Sequence, residues 1–269
     1  MATTARPDSA APARFERPGL TGFLLFVVAL ALFVSSLDGA EISLVDLYQG
    51  APNMLRVLGE MFPPDPGRLW PVILSLAETF QMAFAGTVLG VVLSLPLAIC
   101  ASRRHSPHPV FYHLSRGLIS LFRTVPDLFW ALFFVATVGL GPFAGTLTLI
   151  VDTIGFCGRF FAEAMEEADD GPQEALTALG ARPAGIIFGA VLPAALPSLI
   201  ATSLFSLEKA TRSSVVLGLV GAGGIGMELK VSMNMFRYDE ACTIILAVFL
   251  LVLAVEQLSQ RLRRRIIDK

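Results

Sequence analysis

The sequence predicts an all-α integral membrane protein with about six transmembrane helices, because its apolar residues form runs close to the ~20 residues that one crossing needs. Of its 269 residues, 54% are hydrophobic and only 16% are charged, whereas a soluble domain carries about 25% charged residues. The mean hydropathy of +0.69 agrees with lipid as the surrounding solvent. The three cysteines lie apart in apolar runs and indicate neither a disulfide framework nor a metal site. No basic patch with interleaved aromatic residues points to a nucleic-acid partner.

The N-terminal part begins with residues 1–19, whose Ala-, Pro- and Arg-rich composition predicts a disordered cytoplasmic tail. Residues 20–37 form the first apolar run, which is either a retained transmembrane helix or a cleavable signal peptide. The run is longer than the usual apolar core of a signal peptide, and this favours the helix. Residues 38–71 are mixed polar with a proline-rich stretch, so we expect a periplasmic loop too broken for a long helix. The first helix and this loop together make up residues 20–71.

A core domain is expected over residues 72–260, and its first helix should cover residues 72–101. That helix carries Ser75, Glu78 and Gln81 at intervals of three, which places them on one stripe. A carboxylate is costly in contact with lipid, so the stripe should face the helix bundle.

Residues 102–123 contain a group of basic residues and predict a solvated cytoplasmic loop. A metal site is the alternative, but Pro107 and Pro109 break any helix face that the histidines could share. Residues 113–122 have leucines on one side and could lie along the membrane interface. The basic residues are Arg103, Arg104, Arg116, Arg123, His105, His108 and His113.

Two further helices are predicted between this loop and residue 168. The first is short, starts near Pro126 and Asp127, and stops at a Gly-Pro sequence after residue 139. The second covers residues 143–168, and the spacing of its charged residues places them on one face, turned away from lipid. These residues are Asp152, Arg159, Glu163 and Glu166, of which Arg159 and Glu163 form a favourable i, i+4 pair.

The C-terminal part carries the last two predicted spans, over residues 186–207 and 241–258, and a basic cytoplasmic tail over residues 261–269. Pro193 and Pro197 should bend or loosen the start of the first of these spans. A charged run over residues 208–212 should end it. With both termini placed in the cytoplasm, most arginines of the chain lie on the inner side, as the positive-inside rule requires.

A short polar helix is predicted between the two spans that flank residues 168–186. Glu174, Ala175 and Leu176 favour a helix, and Gly180 can end it because glycine adopts the left-handed conformation without strain. Together with Ala181 and a Leu-Pro pair at residues 192–193, this pattern resembles the "EAA" loop of binding-protein-dependent ABC importer permeases. The resemblance implies the type I importer permease fold with a cytoplasmic coupling helix that docks on an ATP-binding subunit. Without the resemblance, an ordinary surface helix would explain the same residues.

The glycine-rich segment after residue 215 contains a formal GxGxxG motif, which in a soluble protein would suggest a dinucleotide site. That site needs a strand before the glycines and a strand–helix alternation that the surrounding apolar runs do not show. The membrane interpretation is close helix packing and a possible gating hinge. The candidate hinge residues are Pro193, Pro197, Gly221, Gly223, Gly224 and Gly226.

Several segments between residues 70 and 260 also resemble the phosphonate branch of these permeases, which includes phosphite and hypophosphite importers. They include the sequence around Arg123–Val135, the segment Phe161–Glu166 and the segment Glu208–Gly218. The resemblance implies a second permease copy or close paralogue, two cytoplasmic ATP-binding subunits and a periplasmic or lipid-anchored binding protein, in the bacterial inner membrane. It implies no cofactor in this chain, since ATP and Mg²⁺ would lie on the partner subunit.

Four charged residues are candidates for the path of the transported anion. Arg212 and Arg159 could meet the anion; the acidic candidates are Glu78, in the span over residues 72–101, and Asp152, in the same span as Arg159. The alternative is local ion pairing of Arg212 with Glu208 and of Arg159 with Glu163. A permease for methionine or another anion, a membrane-bound oxidoreductase and a structural membrane protein remain alternative functions.

Overall fold

A computed structural model describes residues 19–41 and 43–267, and these residues contain helices and no strand. The chain divides into two units, residues 1–56 and residues 57–269, and each is described by itself. The predicted tail over residues 1–18 lies outside the described residues, as do residues 268 and 269. The helices are α1 (Leu20–Gly39), α2 (Leu44–Glu60), α3 (Leu69–Ala101), α4 (Pro109–Thr124), α5 (Asp127–Val138), α6 (Pro142–Glu166), α7 (Asp170–Ala178), α8 (Pro183–Ile186), α9 (Leu192–Leu219), α10 (Ile225–Asn234) and α11 (Tyr238–Ile267).

The predicted number of membrane crossings is confirmed. Five helices of the described chain are long and apolar enough to span a bilayer, and a sixth crossing results if α4 and α5 count as one bent span. The axes of α4 and α5 differ by 91°. The bend falls at Val125, which is extended because Pro126 disfavours the helical conformation of the residue before it.

The first unit contains α1 and most of α2. The helix α1 carries an apolar side chain at nearly every position from Leu20 to Leu37, as a lipid-facing helix does. The expectation that the following segment has no long helix is wrong, because α2 has 17 residues. Its start is capped by Ser43, whose hydroxyl accepts the N–H of Asp46 at 3.1 Å. The proline-rich stretch that suggested a loop lies only after the end of α2.

The second unit is built around α3, α6 and α9, which pack against one another. Small residues allow the close approach of α3 and α6: a Cβ on Gly90 would lie 2.5 Å from the Cβ of Thr153. One apolar cluster lies near the C-terminal ends of α3 and α6 and includes Ala98, Phe161 and Met165. A second cluster, which includes Met82, Leu149 and Leu217, joins the same three helices farther along.

The predicted end of the fifth span at residues 208–212 is wrong, because α9 continues to Leu219. The charged residues do not end the helix, since they are ion-paired within the bundle or along α9. The predicted disturbance near Pro193 takes the form of a π-helical turn over Ile187–Val191, which ends two residues before the proline. In this turn the N–H of Leu192 bonds to the carbonyl of Ile187, five residues back.

The last helix, α11, is longer at both ends than predicted. It starts at Tyr238, where Asp239 and Glu240 occupy the first turn, and it continues through the basic residues to Ile267. Acidic residues at the start and basic residues at the end both favour the helix through its dipole. The predicted basic tail is therefore helical as far as residue 267.

Candidate functional site

The predicted short helix after α6 is present as α7, and both of its ends have recognisable caps. The side chain of Asp169 accepts the N–H of Gly171 at 3.1 Å, next to the start of the helix. At the other end, Gly180 has a φ of +77°, a value that glycine adopts without strain. The N–H of Gly180 bonds to the carbonyl of Thr177, and the N–H of Ala181 bonds to the carbonyl of Leu176, which is the Schellman motif. The prediction that the helix stops at Gly180 is confirmed.

The side chains of α7 divide into an outward and an inward set. Glu174 and Ala175 are exposed, whereas Leu176 is half-buried and points towards Gly189 in the π-helical turn, where an added Cβ would lie 3.3 Å from its Cδ1. Leu179, which sequence reasoning missed, is 83% exposed directly before Gly180. Glu174 on the helix and Leu179 directly after it are therefore both exposed.

The loop after α3 holds α7 in place through side-chain contacts. Arg104 forms an ion pair with Asp170, and a ring nitrogen of His105 lies 3.2 Å from the amide oxygen of Gln173. The other ring nitrogen of His105 lies 2.9 Å from the hydroxyl of Ser102. The histidine is thus a link between two segments. In residues 19–41 and 43–267, no three potential metal ligands lie close enough together to hold a metal ion.

The candidate glycine hinge lies in the tight turn between α9 and α10. Gly221, Gly223 and Gly224 have positive φ values. Gly226 packs so closely on α9 that a Cβ there would lie 2.0 Å from the carbonyl oxygen of Val215. The preceding element is the helix α9, not a strand, so the dinucleotide alternative is wrong. Close packing of the glycines is confirmed, while a gating movement stays a prediction.

Side chains of α3 cap the start of α10. The hydroxyl of Thr79 accepts the N–H of Ile225 at 2.8 Å, and the carboxylate of Glu78 accepts the N–H of Gly224 at 3.3 Å. Glu78 therefore faces the bundle, as predicted for its stripe, whereas Gln81 is exposed. The structure brings one candidate path residue, Glu78, against one candidate hinge residue, Gly224.

The charged residues of α6 are ion-paired, and their partners lie on different helices. Asp152 accepts two hydrogen bonds from the ammonium group of Lys209 on α9, at 2.7 and 3.0 Å. Glu166 accepts a hydrogen bond from the guanidinium of Arg116 on α4 at 2.9 Å. Lys209 was missed from the sequence, although a lysine within an apolar run requires a partner and Asp152 is an acidic residue of the preceding span.

The two candidate anion-binding arginines are both in local ion pairs. Arg159 bonds to Glu163 at 2.7 Å, and Arg212 bonds to Glu208 at 2.8 Å. In the second pair the arginine is more exposed than the glutamate: the side chain of Arg212 is 52% exposed and that of Glu208 is only 10% exposed. Lys209, one turn earlier on α9, repeats this arrangement with Asp152 on α6. The side chain of Lys209 is 36% exposed and that of Asp152 is 16% exposed. Together Lys209 and Arg212 give α9 an accessible cationic strip over one buried and one partly buried carboxylate.

Comparison with known proteins agrees with this architecture. Residues 86–268 match the family described as the binding-protein-dependent transport system inner membrane component. The chain is 37% identical over 246 residues to the putative phosphite transport system permease protein HtxC of Stutzerimonas stutzeri, covering 91% of this chain and 87% of that one. It is 38% identical to the phosphite transport system permease protein PtxC of the same organism, covering 91% and 88%.

A third relative is the phosphate-import permease protein PhnE of Mycolicibacterium smegmatis, which is 36% identical over 94% of this chain, although the match spans about half (47%) of that longer protein. Among solved structures, the MetNI methionine ABC transporter in an inward-facing conformation aligns with a TM-score of 0.67 at 24% identity. That alignment covers 75% of this chain and 99% of the solved chain, and it supports the type I permease fold alone. With its helical bundle, its short capped helix after α6 and its match over most of the second unit, this chain belongs to the family of binding-protein-dependent transport system inner membrane components.

Proposed function

We propose that this chain is the transmembrane permease subunit of an ATP-driven importer for phosphonate or a related phosphorus oxyanion, phosphite or hypophosphite. The observation that carries the proposal is the identity of 37% and 38%, over 91% of the chain, to permeases named for phosphite transport. The mycobacterial relative, named for phosphate import, extends the same chemistry to another tetrahedral phosphorus oxyanion. The chain itself is a transport subunit and not an enzyme.

In this proposal α7 is the coupling helix. Its capped ends support a rigid element, and the exposed Glu174 and Leu179 offer a contact surface to a cytoplasmic ATP-binding subunit. Closure of two such subunits around ATP and Mg²⁺ would push on α7 and rock the spans between inward-open and outward-open states. The energy of ATP hydrolysis would thus enter the permease at α7.

The full assembly would comprise this chain, a second copy or close paralogue, two ATP-binding subunits and a periplasmic or lipid-anchored binding protein. It would lie in the bacterial inner membrane with both termini in the cytoplasm. Specificity would rest mainly on the binding protein, and this chain would provide an anion path. Arg212 and Lys209 are the residues that we place along that path, because their cationic groups are more accessible than their carboxylate partners, of which Glu208 is buried and Asp152 is partly buried.

The proposal is tested by uptake of labelled phosphite in cells that express the complete transport system. Glu174→Ala should lower uptake about tenfold, which corresponds to a loss of ~1.4 kcal/mol of docking free energy. Glu167→Ala removes another exposed carboxylate, in the link between α6 and α7, and should leave uptake unchanged. Equal uptake by both variants, or wild-type uptake of none of phosphite, hypophosphite and methylphosphonate, would contradict the proposal.

Import of methionine is the second candidate, because the chain is 31% identical over 199 residues to a probable D-methionine transport system permease protein of Vibrio cholerae. An excess of unlabelled methionine should not reduce phosphite uptake. Competition by methionine, or direct methionine uptake that depends on this chain, would favour this second function.

A further inference from the structure

We propose that a cavity lined by three arginines between α4 and α6 is a binding site for a tetrahedral phosphorus oxyanion. The cavity has a volume of about 590 Å³, and Arg116, Arg123 and Arg159 contribute to its lining. The hydroxyl-bearing residues Ser120 and Thr124 also line it. Sequence reasoning named Arg159 alone among these arginines as a candidate for contact with the anion.

The charge of this arginine cavity is not balanced by the carboxylates that contact its arginines. Arg116 pairs with Glu166 at 2.9 Å, and Arg159 pairs with Glu163 at 2.7 Å. Arg123 forms no ion pair with any residue of the described chain, and its guanidinium lies over the ring of Phe160, 5.9 Å from the centroid. Among the described residues, one full positive charge therefore remains beside the cavity without an acidic partner.

The donors of the cavity suit an oxyanion of phosphorus. A guanidinium presents several N–H donors in a planar fork that matches two oxygens of a phosphate-like group. The ion pairs of Arg116 and Arg159 are only partly buried, with guanidinium side chains 36% and 50% exposed, so both retain accessible donors. The volume also leaves room for the organic substituent of a phosphonate.

The cavity lies at the end of the bundle from which α7 projects. Arg116 donates from Nε to the carbonyl of Ala101 at the end of α3, at 2.9 Å. Its partner Glu166 is the last residue of α6, and α7 begins at Asp170. If α7 is cytoplasmic, as the proposed function requires, the cavity holds the anion on the side where it is released. The assignment of this side rests on the proposed function, whereas the binding itself does not.

The test is direct binding to the full-length chain in phosphatidylcholine nanodiscs, with phosphite and methylphosphonate as titrants in isothermal calorimetry. Arg123→Gln should weaken binding of both titrants at least about tenfold, the effect of one charge-assisted hydrogen bond. Arg123→Lys, which keeps the charge but not the fork, should give a smaller loss. Arg264→Gln makes the same charge change at an exposed site on α11 and should bind like the wild type. Size-exclusion chromatography checks that each variant is folded.

A second arm distinguishes a free anion from a lipid headgroup, which offers the same phosphorus oxyanion. Nanodiscs containing phosphatidylglycerol are analysed by native mass spectrometry with and without phosphite. Anionic lipid retained by the wild type, lost in Arg123→Gln and not displaced by phosphite would assign the site to a headgroup. Phosphite binding that is insensitive to phosphatidylglycerol would assign it to the free anion.

Binding of phosphite and lipid by Arg123→Gln equal to that of the wild type would overturn the site. This result differs from a failure of the proposed function, which would appear as absent phosphite uptake in cells, whatever the purified chain binds.

Discussion

The ion pair between Asp152 and Lys209 should be a large contributor to the stability of the bundle. The pair joins α6 to α9, and Lys209 donates to both carboxylate oxygens at 2.7 and 3.0 Å. Lys209→Met would keep the apolar stem and leave the carboxylate of Asp152 without its partner near the middle of α6. Loss of one partner of a buried pair costs about 3–5 kcal/mol.

That range must be reduced here, because the lysine side chain is 36% exposed while the carboxylate is 16% exposed. Solvent screens such a pair in part, so we expect Lys209→Met to lower the free energy of unfolding by roughly 2–3 kcal/mol. Combining Asp152→Asn with Lys209→Met should recover much of the lost free energy of unfolding, since the double variant has no uncompensated charge. A double-mutant cycle should then give a coupling energy above about 1 kcal/mol.

The assay is reversible unfolding of the purified full-length chain in mixed micelles, followed by circular dichroism. Lys230→Met provides the matched control, because Lys230 is exposed on α10 and has no carboxylate within ion-pair distance among the described residues. Additive effects of the two single substitutions, or a loss for Lys209→Met no larger than for Lys230→Met, would refute the reasoning.

Three further predictions concern glycines and the α7 surface. Gly226→Ala should destabilise the fold by about 1–3 kcal/mol because the new methyl overlaps the carbonyl of Val215. Gly117→Ala is the control, since open space surrounds Gly117 and the substitution should not destabilise the fold. Equal unfolding free energies of the two variants would contradict the packing argument. Gly180→Ala should lower the free energy of unfolding by about 1 kcal/mol, because alanine is strained at the positive φ of this position. It should also increase proteolysis after α7 relative to the control Gly185→Ala. Unchanged cleavage would argue against a strained turn. Leu179→Asp should leave the unfolding free energy within about 0.5 kcal/mol of the wild type yet reduce co-purification of the ATP-binding subunit; undiminished co-purification would remove Leu179 from the docking surface.

The parts that could be predicted from the sequence depend on short-range patterns. Apolar runs give the number of crossings, and Gly180 gives the end of α7, because both signals act within one element. The breaker signal was over-interpreted for residues 38–71: Pro52 lies inside α2, the proline-rich stretch from Pro63 begins only after the helix ends, and the cap at Ser43 was overlooked.

The parts that could not be predicted depend on partners distant in the chain. The charged run at residues 208–212 suggested a helix end, since such residues normally favour water. In the fold Lys209 is neutralised by a residue 57 positions earlier, and the helix continues. The arginine cavity likewise joins residues from α4 and α6, and the spacing within either helix does not reveal it.

The attachment of α7 decides how movement would spread through the permease. This helix is fixed at its start to the loop after α3 by Arg104 and Asp170, and Leu176 contacts the turn that leads into α9. Glu166 connects the end of α6 to the backbone of Arg103 in that same loop. A displacement of α7 would therefore be shared by three long helices at once.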